Sequence, residues 1–453
     1  MLRYRRPATA VAWLFAVWWL PILGTLLYLA FAVYTEPNAI RRRRARTAHL
    51  RGPDRVVAIE AAAYPPGSAT GRLAALSERI ASFPLVAGNR VRLLGGDDGA
   101  YEEMFGLMAG AREEICIETY ILEEGAIALR LRDLLVAKAR HGVKVRLLFD
   151  RFGSYGLRSS WLDAAEAGGV SWAGFLKPRP LRGRLQINFR NHRKLLLVDG
   201  TSAVTGGQNW EDAHSTKSRI GRGIRDFNVR LDGPAAAAMR RVFLEDWCIA
   251  RDNPRDPGEL TPRAPLPVAA GAVPVRVVTS GPDEERPRFL ELALGAVHEA
   301  RREILIVSPF FVPGDPMLTA LAQAALSGLR VRLLVPHRSD FLPADLAARR
   351  SFARLLGAGA EIRAVHGDFL HAKALVVDDS WTVVGSSNFD HRSFHCNYEL
   401  DLEIPDPSLA HAVREHFDPD LARAERIDPA LFARRSAWAR AVSNAAALFE
   451  PLL

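Results

Sequence analysis

The pattern H-x-K-x-x-x-x-D occurs twice, as His192, Lys194 and Asp199 and again as His371, Lys373 and Asp378. A chain with 12 His, six Lys and 26 Asp should hold roughly 0.01 chance matches, so the pair is a built feature. Imidazole can attack an electrophile and can also give or take a proton near neutral pH. Ammonium is a compact cation for an anionic centre, and its use here is selective, because the chain has 54 Arg against only six Lys. Two imidazoles and two ammoniums brought together suit a phosphodiester. One His attacks phosphorus, the other protonates the leaving oxygen and later deprotonates the acceptor, and the lysines neutralise the equatorial oxygens.

Each motif is followed by a small-residue turn ending in asparagine, Gly206-Gly207-Gln208-Asn209 and Gly385-Ser386-Ser387-Asn388. Small residues at Gly207 and Ser386 would let backbone approach an oxyanion, and Asn209 and Asn388 offer amide donors, so these four are candidate phosphate-binding residues. A nucleophilic imidazole must be neutral with its lone pair aimed, which requires a carboxylate on its other nitrogen. Asp226 and Glu399, 17 and 11 residues beyond the two asparagines, are the candidates for orienting the histidines. Asp199 and Asp378 are counted with the catalytic set by their place in the motif. Strand alternation turns them to the opposite face, where tying neighbouring strands is the natural use. The pattern has no carboxylate cluster for a divalent ion, so neither metal nor cofactor is expected.

The elements that position these residues repeat as well. Ala111 to Ile117 (AREEICI) returns as Ala300 to Ile306 (ARREILI), and His141 to Leu148 (HGVKVRLL) returns as Ser327 to Leu334 (SGLRVRLL). Asn191 to Asp199 (NHRKLLLVD) returns as Leu370 to Asp378 (LHAKALVVD). The offsets of 189, 186 and 179 residues describe a tandem duplication with small length changes. Helix ends running into buried strands predict an α/β fold, two halves facing each other about a pseudo-twofold axis with the site at their seam.

With 453 residues, 49% hydrophobic and 25% charged, the chain is no disulfide scaffold, disordered tail or polytopic transporter. Its net charge of +9 favours anionic partners. Pro7 to Thr35 carries no charged residue, long enough for a membrane anchor. Pro21 and Gly24 predict a kinked transmembrane helix or a re-entrant hairpin. The run is too long for a cleaved signal peptide. Arg41 to Arg44, Arg46 and Arg51 beyond it favour a cytoplasmic C-terminal side and attract anionic lipid.

Together the paired motifs resemble the phospholipase D superfamily, over about residues 84 to 425. Arg190 to Lys194 (RNHRK), Arg225-Asp226, Arg241 to Trp247 (RVFLEDW) and Asn388 to Glu399 (NFDHRSFHCNYE) resemble its bacterial cardiolipin synthase branch, as do Pro21 to Gly24 (PILG) and the terminal PLL. Two features depart from that pattern. One apolar span stands where such proteins often carry two, and Glu211-Asp212-Ala213-His214 replaces the familiar acidic-aromatic run. The resemblance implies two phospholipase D-type α/β/α sandwich halves and a phosphatidyltransferase joining two phosphatidylglycerols, with His192 as nucleophile. Its partners would be anionic phospholipid and the bilayer of the inner membrane, with the catalytic part cytoplasmic and no nucleic acid. Hydrolysis by a phospholipase D, transfer of the phosphatidylserine synthase type and a nuclease are the alternatives. The predicted organisation is an anchor (1–40), a basic connector (41–83), a first half (84–252), a Pro-rich linker (253–274), a second half (275–425) and an amphipathic end (426–453).

Overall fold

The computed structural model describes residues 7–31, 64–65, 67–175, 189–217, 223–251 and 268–450. The Arg cluster after residue 40, the basic connector up to residue 63 and most of the Pro-rich linker lie outside the described residues.

Two mixed sheets repeat one strand order. The first runs Ser171–Phe175, Lys144–Asp150, Glu114–Thr119, Leu195–Val198, Ser202–Gly206, Ile224–Asp232, Val86–Gly96. The second runs Glu361–Val365, Arg330–Pro336, Glu303–Val307, Ala374–Val377, Trp381–Gly385, Asn397–Ile404, Val273–Ser280. In each, three parallel strands joined by helices are extended by antiparallel strands, and the motif strand is where the sense changes. The matched helix ends of the repeat close on glycines in the left-handed region, Gly142 and Gly328, which a Cβ would strain.

One apolar cluster links the halves, because helices Ala235–Arg251 and Pro407–Arg423 bury Met239, Phe243, Trp247, Val413 and Phe417 together with Leu197, Phe227, Leu370 and Tyr398. The outer helices cover the other face of each sheet. At the C-terminus, Ala437–Ala447 buries Ala447 in the second cluster, and Phe432 packs against Phe352, so this end rests on the second half.

The apolar N-terminal stretch is not one spanning helix. It forms Pro7–Trp19 and Pro21–Phe31, broken at Leu20 where proline cannot continue the hydrogen-bond ladder. Trp13 and Tyr28 lie with ring centroids 5.8 Å apart, which requires the two helices to fold against each other. Gly24 packs where a Cβ would strike the Ala16 carbonyl. No helix among the described residues is long and apolar enough to cross a membrane. The segment therefore folds back on itself as a helical hairpin.

Candidate active site

The chain exchanges a short strand between the halves on the approach to each motif. Arg190–Asn191 pairs in parallel with Asn397 and Tyr398 of the second half, and Phe369–Leu370 pairs with Ile224 and Arg225 of the first. The His192 N–H then donates to the Tyr398 carbonyl (2.9 Å) and the His371 N–H to that of Arg225 (2.7 Å). One residue further along each partner strand stands a carboxylate. His192 Nδ1 therefore meets Glu399 at 3.0 Å, and His371 Nδ1 meets Asp226 at 2.6 Å. Each histidine is oriented by the other half. Facing Nδ1 with an anion fixes the proton there and leaves Nε2 with a free lone pair.

The two carboxylates are held differently. Glu399 accepts from the Ser386 hydroxyl (2.6 Å), the Ser393 hydroxyl (2.8 Å) and Asn397 Nδ2 (3.2 Å). Asp226 accepts from the Phe227 N–H (2.8 Å), and His214 Nδ1 lies 4.0 Å away. His214 is buried, with Nδ1 unpartnered among the described residues and Nε2 near the Asn209 N–H (3.4 Å). Sequence reasoning gave His214 no role; its only signal was the departure from the acidic-aromatic run.

Lys194 Nζ donates to the His192 carbonyl (2.8 Å), and Lys373 Nζ to that of His371. Burial, with Lys373's charge adding to it, lowers Lys194 to about 7; burial lowers Lys373 to about 8 against the pull of Asp226 and Glu399. Burial also pushes the imidazoles down, His192 to about 4 and His371 to about 3, with the lysine charges adding to this and the carboxylates opposing it. Although burial opposes ionisation most, His192, Lys194 and Ser386 keep Glu399 below the usual carboxylate range, and His371 and Lys373 do the same for Asp226. The empty pocket holds two neutral imidazoles, two anions and two ammoniums. A phosphodiester adds one negative charge, and one proton on an imidazole restores neutrality. Because productive binding takes up that proton, we expect kcat/KM to decline as pH rises above about 4 and more steeply through 7 to 8, where the ammoniums deprotonate. A pH–rate profile on a saturable phosphodiester checks this, and a rate still climbing at pH 9 would contradict it.

The remaining motif and turn residues each meet specific partners. Asp199 and Asp378 are not in the pocket. Both sit in the left-handed region, with φ of 50° and 53°, and face the starts of the neighbouring strands. Asp199 accepts from the N–H groups of Arg112, Glu113 and Glu114, and Asp378 from those of Arg301, Arg302 and Glu303. They hold each motif strand to its neighbour, the use that strand alternation predicts for them. Gly207 does not cradle an oxyanion; a Cβ there would collide with the Asp226 carboxylate. Its counterpart Ser386 holds Glu399. Asn209 spends its amide on the Ile121 N–H (3.3 Å) and Glu211 (3.1 Å). Asn388 bonds Asp390 through its side chain and gives its backbone N–H to the Ser393 hydroxyl (3.0 Å). Both asparagines are thus tied into their turns, at the edge of the pocket that holds the lysines. Arg193, between His192 and Lys194, is fully buried, pairs with Asp246 and donates to the Glu399 carbonyl (3.1 Å).

Two groups of side chains bring possible metal-donor atoms within 4.8 Å of one another, His214, Asp226 and His371 in the pocket and His337, His366 and Glu425 on an exposed edge. In the first, His371 already donates to Asp226 and Lys373 lies beside them, so the arrangement reads as acid–base machinery. In the second, His366 Nε2 lies 2.7 Å from Glu425.

Replacing either lysine with arginine keeps the charge but widens the head. Lys194 and Lys373 are buried in slots whose ends are the histidine carbonyls. Lys194→Arg and Lys373→Arg should each lower turnover by about 10²–10³, the loss typical of one positioned charge donor. Steady-state kinetics of the two variants check this; rates near wild type in both would show that the ammonium has no geometric role.

Comparison with known proteins decides the family. The sequence profile described as cardiolipin synthase, PLD-like domain, matches residues 104–247 and 294–421. The chain belongs to this family. It is 32% identical to a cardiolipin synthase of Geobacillus kaustophilus over 100% of this chain and 90% of that one. A cardiolipin synthase A of Pseudomonas aeruginosa is also 32% identical, over 95% and 87%. Among solved structures, a phosphatidylserine synthase of Haemophilus influenzae superposes with a TM-score of 0.63 at 13% identity, over 84% of this chain and 100% of that one, a likeness of fold.

Proposed function

We propose that the chain is a membrane-anchored phosphatidyltransferase that condenses two phosphatidylglycerols to cardiolipin and glycerol. The observation that carries this reading is the crossed pair of His–carboxylate dyads closing on two buried lysines, in a chain similar over its full length to cardiolipin synthases. In the first step His192 Nε2 attacks phosphorus, the bond from phosphorus to the glycerol oxygen breaks, and His371 Nε2–H protonates that oxygen. In the second, His371 takes the proton of the acceptor lipid's hydroxyl. The oxygen attacks phosphorus, and the P–N electron pair returns to His192. Lys194 and Lys373 neutralise the equatorial oxygens in both steps. The choice of His192 as nucleophile rests on its carboxylate, which is pinned by neutral donors and stays anionic. The Asp226–His371 pair has a third imidazole beside it, suited to the residue whose proton comes and goes.

The N-terminal hairpin is the proposed anchor, placing the catalytic body on the cytoplasmic face of the inner membrane. Its helices of 13 and 11 residues are about 20 and 17 Å long, less than a hydrocarbon core of about 30 Å. A re-entrant insertion therefore suits them. Trp18, Trp19 and Ile22 at the bend are each at least 75% exposed and would enter lipid.

Because side chains already supply neutralisation and activation, the purified enzyme should keep its activity in excess EDTA. Complete loss, restored by one specific divalent ion, would contradict the mechanism and point to the His214, Asp226 and His371 cluster. In cells, lipid extracts should gain cardiolipin at the expense of phosphatidylglycerol when the protein is present. Phosphatidic acid accumulating instead would make it a hydrolase.

A further inference from the structure

The reaction just proposed brings together two lipids that each carry a phosphodiester, whereas Lys194 and Lys373 neutralise one. A second pair of cations stands beside His192. Arg190 is 6% exposed and lies in register with Asn397 of the other half. Its Nη1 donates to the Phe189 carbonyl (2.7 Å), and its guanidinium packs 4.1 Å from the centre of the Phe152 ring. The Arg392 side chain reaches that Asn397, with Nη2 3.4 Å from Oδ1. The Arg392 charge acts on Arg190, so two guanidiniums are neighbours at the crossing of strands that delivers His192.

Tyr120 ties this pair to the reacting centre. Its ring lies edge-on to His192 at 5.1 Å and under Lys194 at 5.6 Å, and both arginines and Asp340 act on it. The carboxylate nearest Arg190 in effect, Asp150, already accepts the N–H groups of Phe152, Gly153 and Asn191. Among the described residues no carboxylate forms an ion pair with Arg190. Burial lowers its pKa, and Arg392's charge adds to this. A buried cation facing a like charge lowers its energy by taking an anion. Beyond Arg190, the turn after Asp150 exposes Phe152 (53%) and Tyr155 (88%), an aromatic lip of the kind that sits at headgroup level.

We propose that Arg190 and Arg392 bind the phosphodiester of the acceptor lipid, selecting an anionic lipid alcohol over water or a neutral alcohol. Guanidinium suits this task because it grips two phosphate oxygens at once. The inference rests on the transferase reading and goes further, since a hydrolase or a transferase to small alcohols has no use for a second anion subsite.

The test uses the full chain in mixed micelles with labelled phosphatidylglycerol as donor. The acceptors are phosphatidylglycerol, soluble glycerol 3-phosphate, neutral glycerol and water. Wild-type protein that makes no cardiolipin would refute the transferase reading itself, before any variant is compared. Given wild-type transfer, Arg190→Gln and Arg392→Gln should each lower the ratio of cardiolipin to phosphatidic acid about tenfold, the loss expected from one charge-assisted contact. They should raise the KM for acceptor phosphatidylglycerol more than they lower kcat, while transfer to neutral glycerol falls much less. Arg190→Lys should recover part of the ratio. Glycerol 3-phosphate should compete with the lipid acceptor in wild type and lose that advantage in the variants; competition without a lipid preference would assign the subsite to phosphate as such. Equal losses to phosphatidylglycerol, glycerol and water, or an unchanged product ratio, would overturn the proposal.

Discussion

His192→Ala should abolish transfer, lowering turnover by about 10⁴ or more, because the covalent route disappears with the attacking Nε2. His371→Ala should be as damaging with a natural lipid, whose alkoxide leaves only when protonated, yet it should fail differently. A phosphodiester with a good leaving group, such as p-nitrophenol, needs no acid in the first step. With that substrate the His371→Ala enzyme should release a burst of p-nitrophenol and accumulate label on the peptide containing His192. The expectation follows from the crossed pairing, in which His192 Nδ1 is fixed at 3.0 Å by a Glu399 that three neutral donors pin in place. Label found on His371 in the reciprocal variant, and none on His192, would reverse the two roles.

Glu399→Gln should cost about 10³–10⁴ in turnover while leaving substrate binding nearly unchanged, the size seen when an orienting carboxylate becomes its amide and the imidazole takes the wrong tautomer. Glutamine keeps the shape, but its amide nitrogen must face donors, since Ser386, Ser393, Asn397 and His192 all point hydrogens at this site. Asp226→Asn should act in the same way on His371. The kinetic signature is a fall in kcat with little change in KM. A loss confined to KM would make Glu399 a substrate-binding residue.

The duplicated motif was legible because two rare residue types recur in register, and so were the sheets, whose buried runs and glycine-closed helices repeat at nearly constant offset. Asp226 and Glu399 were legible as candidates from what a nucleophilic imidazole requires. Their crossed partnership was not, because it depends on two-residue strands, Arg190–Asn191 and Phe369–Leu370, too short to carry any periodicity. Gly207 and Ser386 lie against Asp226 and Glu399, which spacing alone could not foresee, since a small residue makes room equally well for an oxyanion or for a neighbouring carboxylate. Asp199 and Asp378 share the motif because the strand that presents His and Lys must be fastened at its far end, which strand alternation already placed on the other face. At the N-terminus, Pro21 marked the bend, while hydropathy alone suits a span as well as a hairpin.

The central claim is that a phosphatidyl group passes from one phosphatidylglycerol to another through a histidine. Purified protein in phosphatidylglycerol vesicles, with chelator present, measures it most directly when cardiolipin, glycerol and phosphatidic acid are counted together. The account predicts cardiolipin and free glycerol in equal amounts with little phosphatidic acid. Phosphatidic acid as the dominant product, or cleavage of DNA with no lipid turnover, would contradict it.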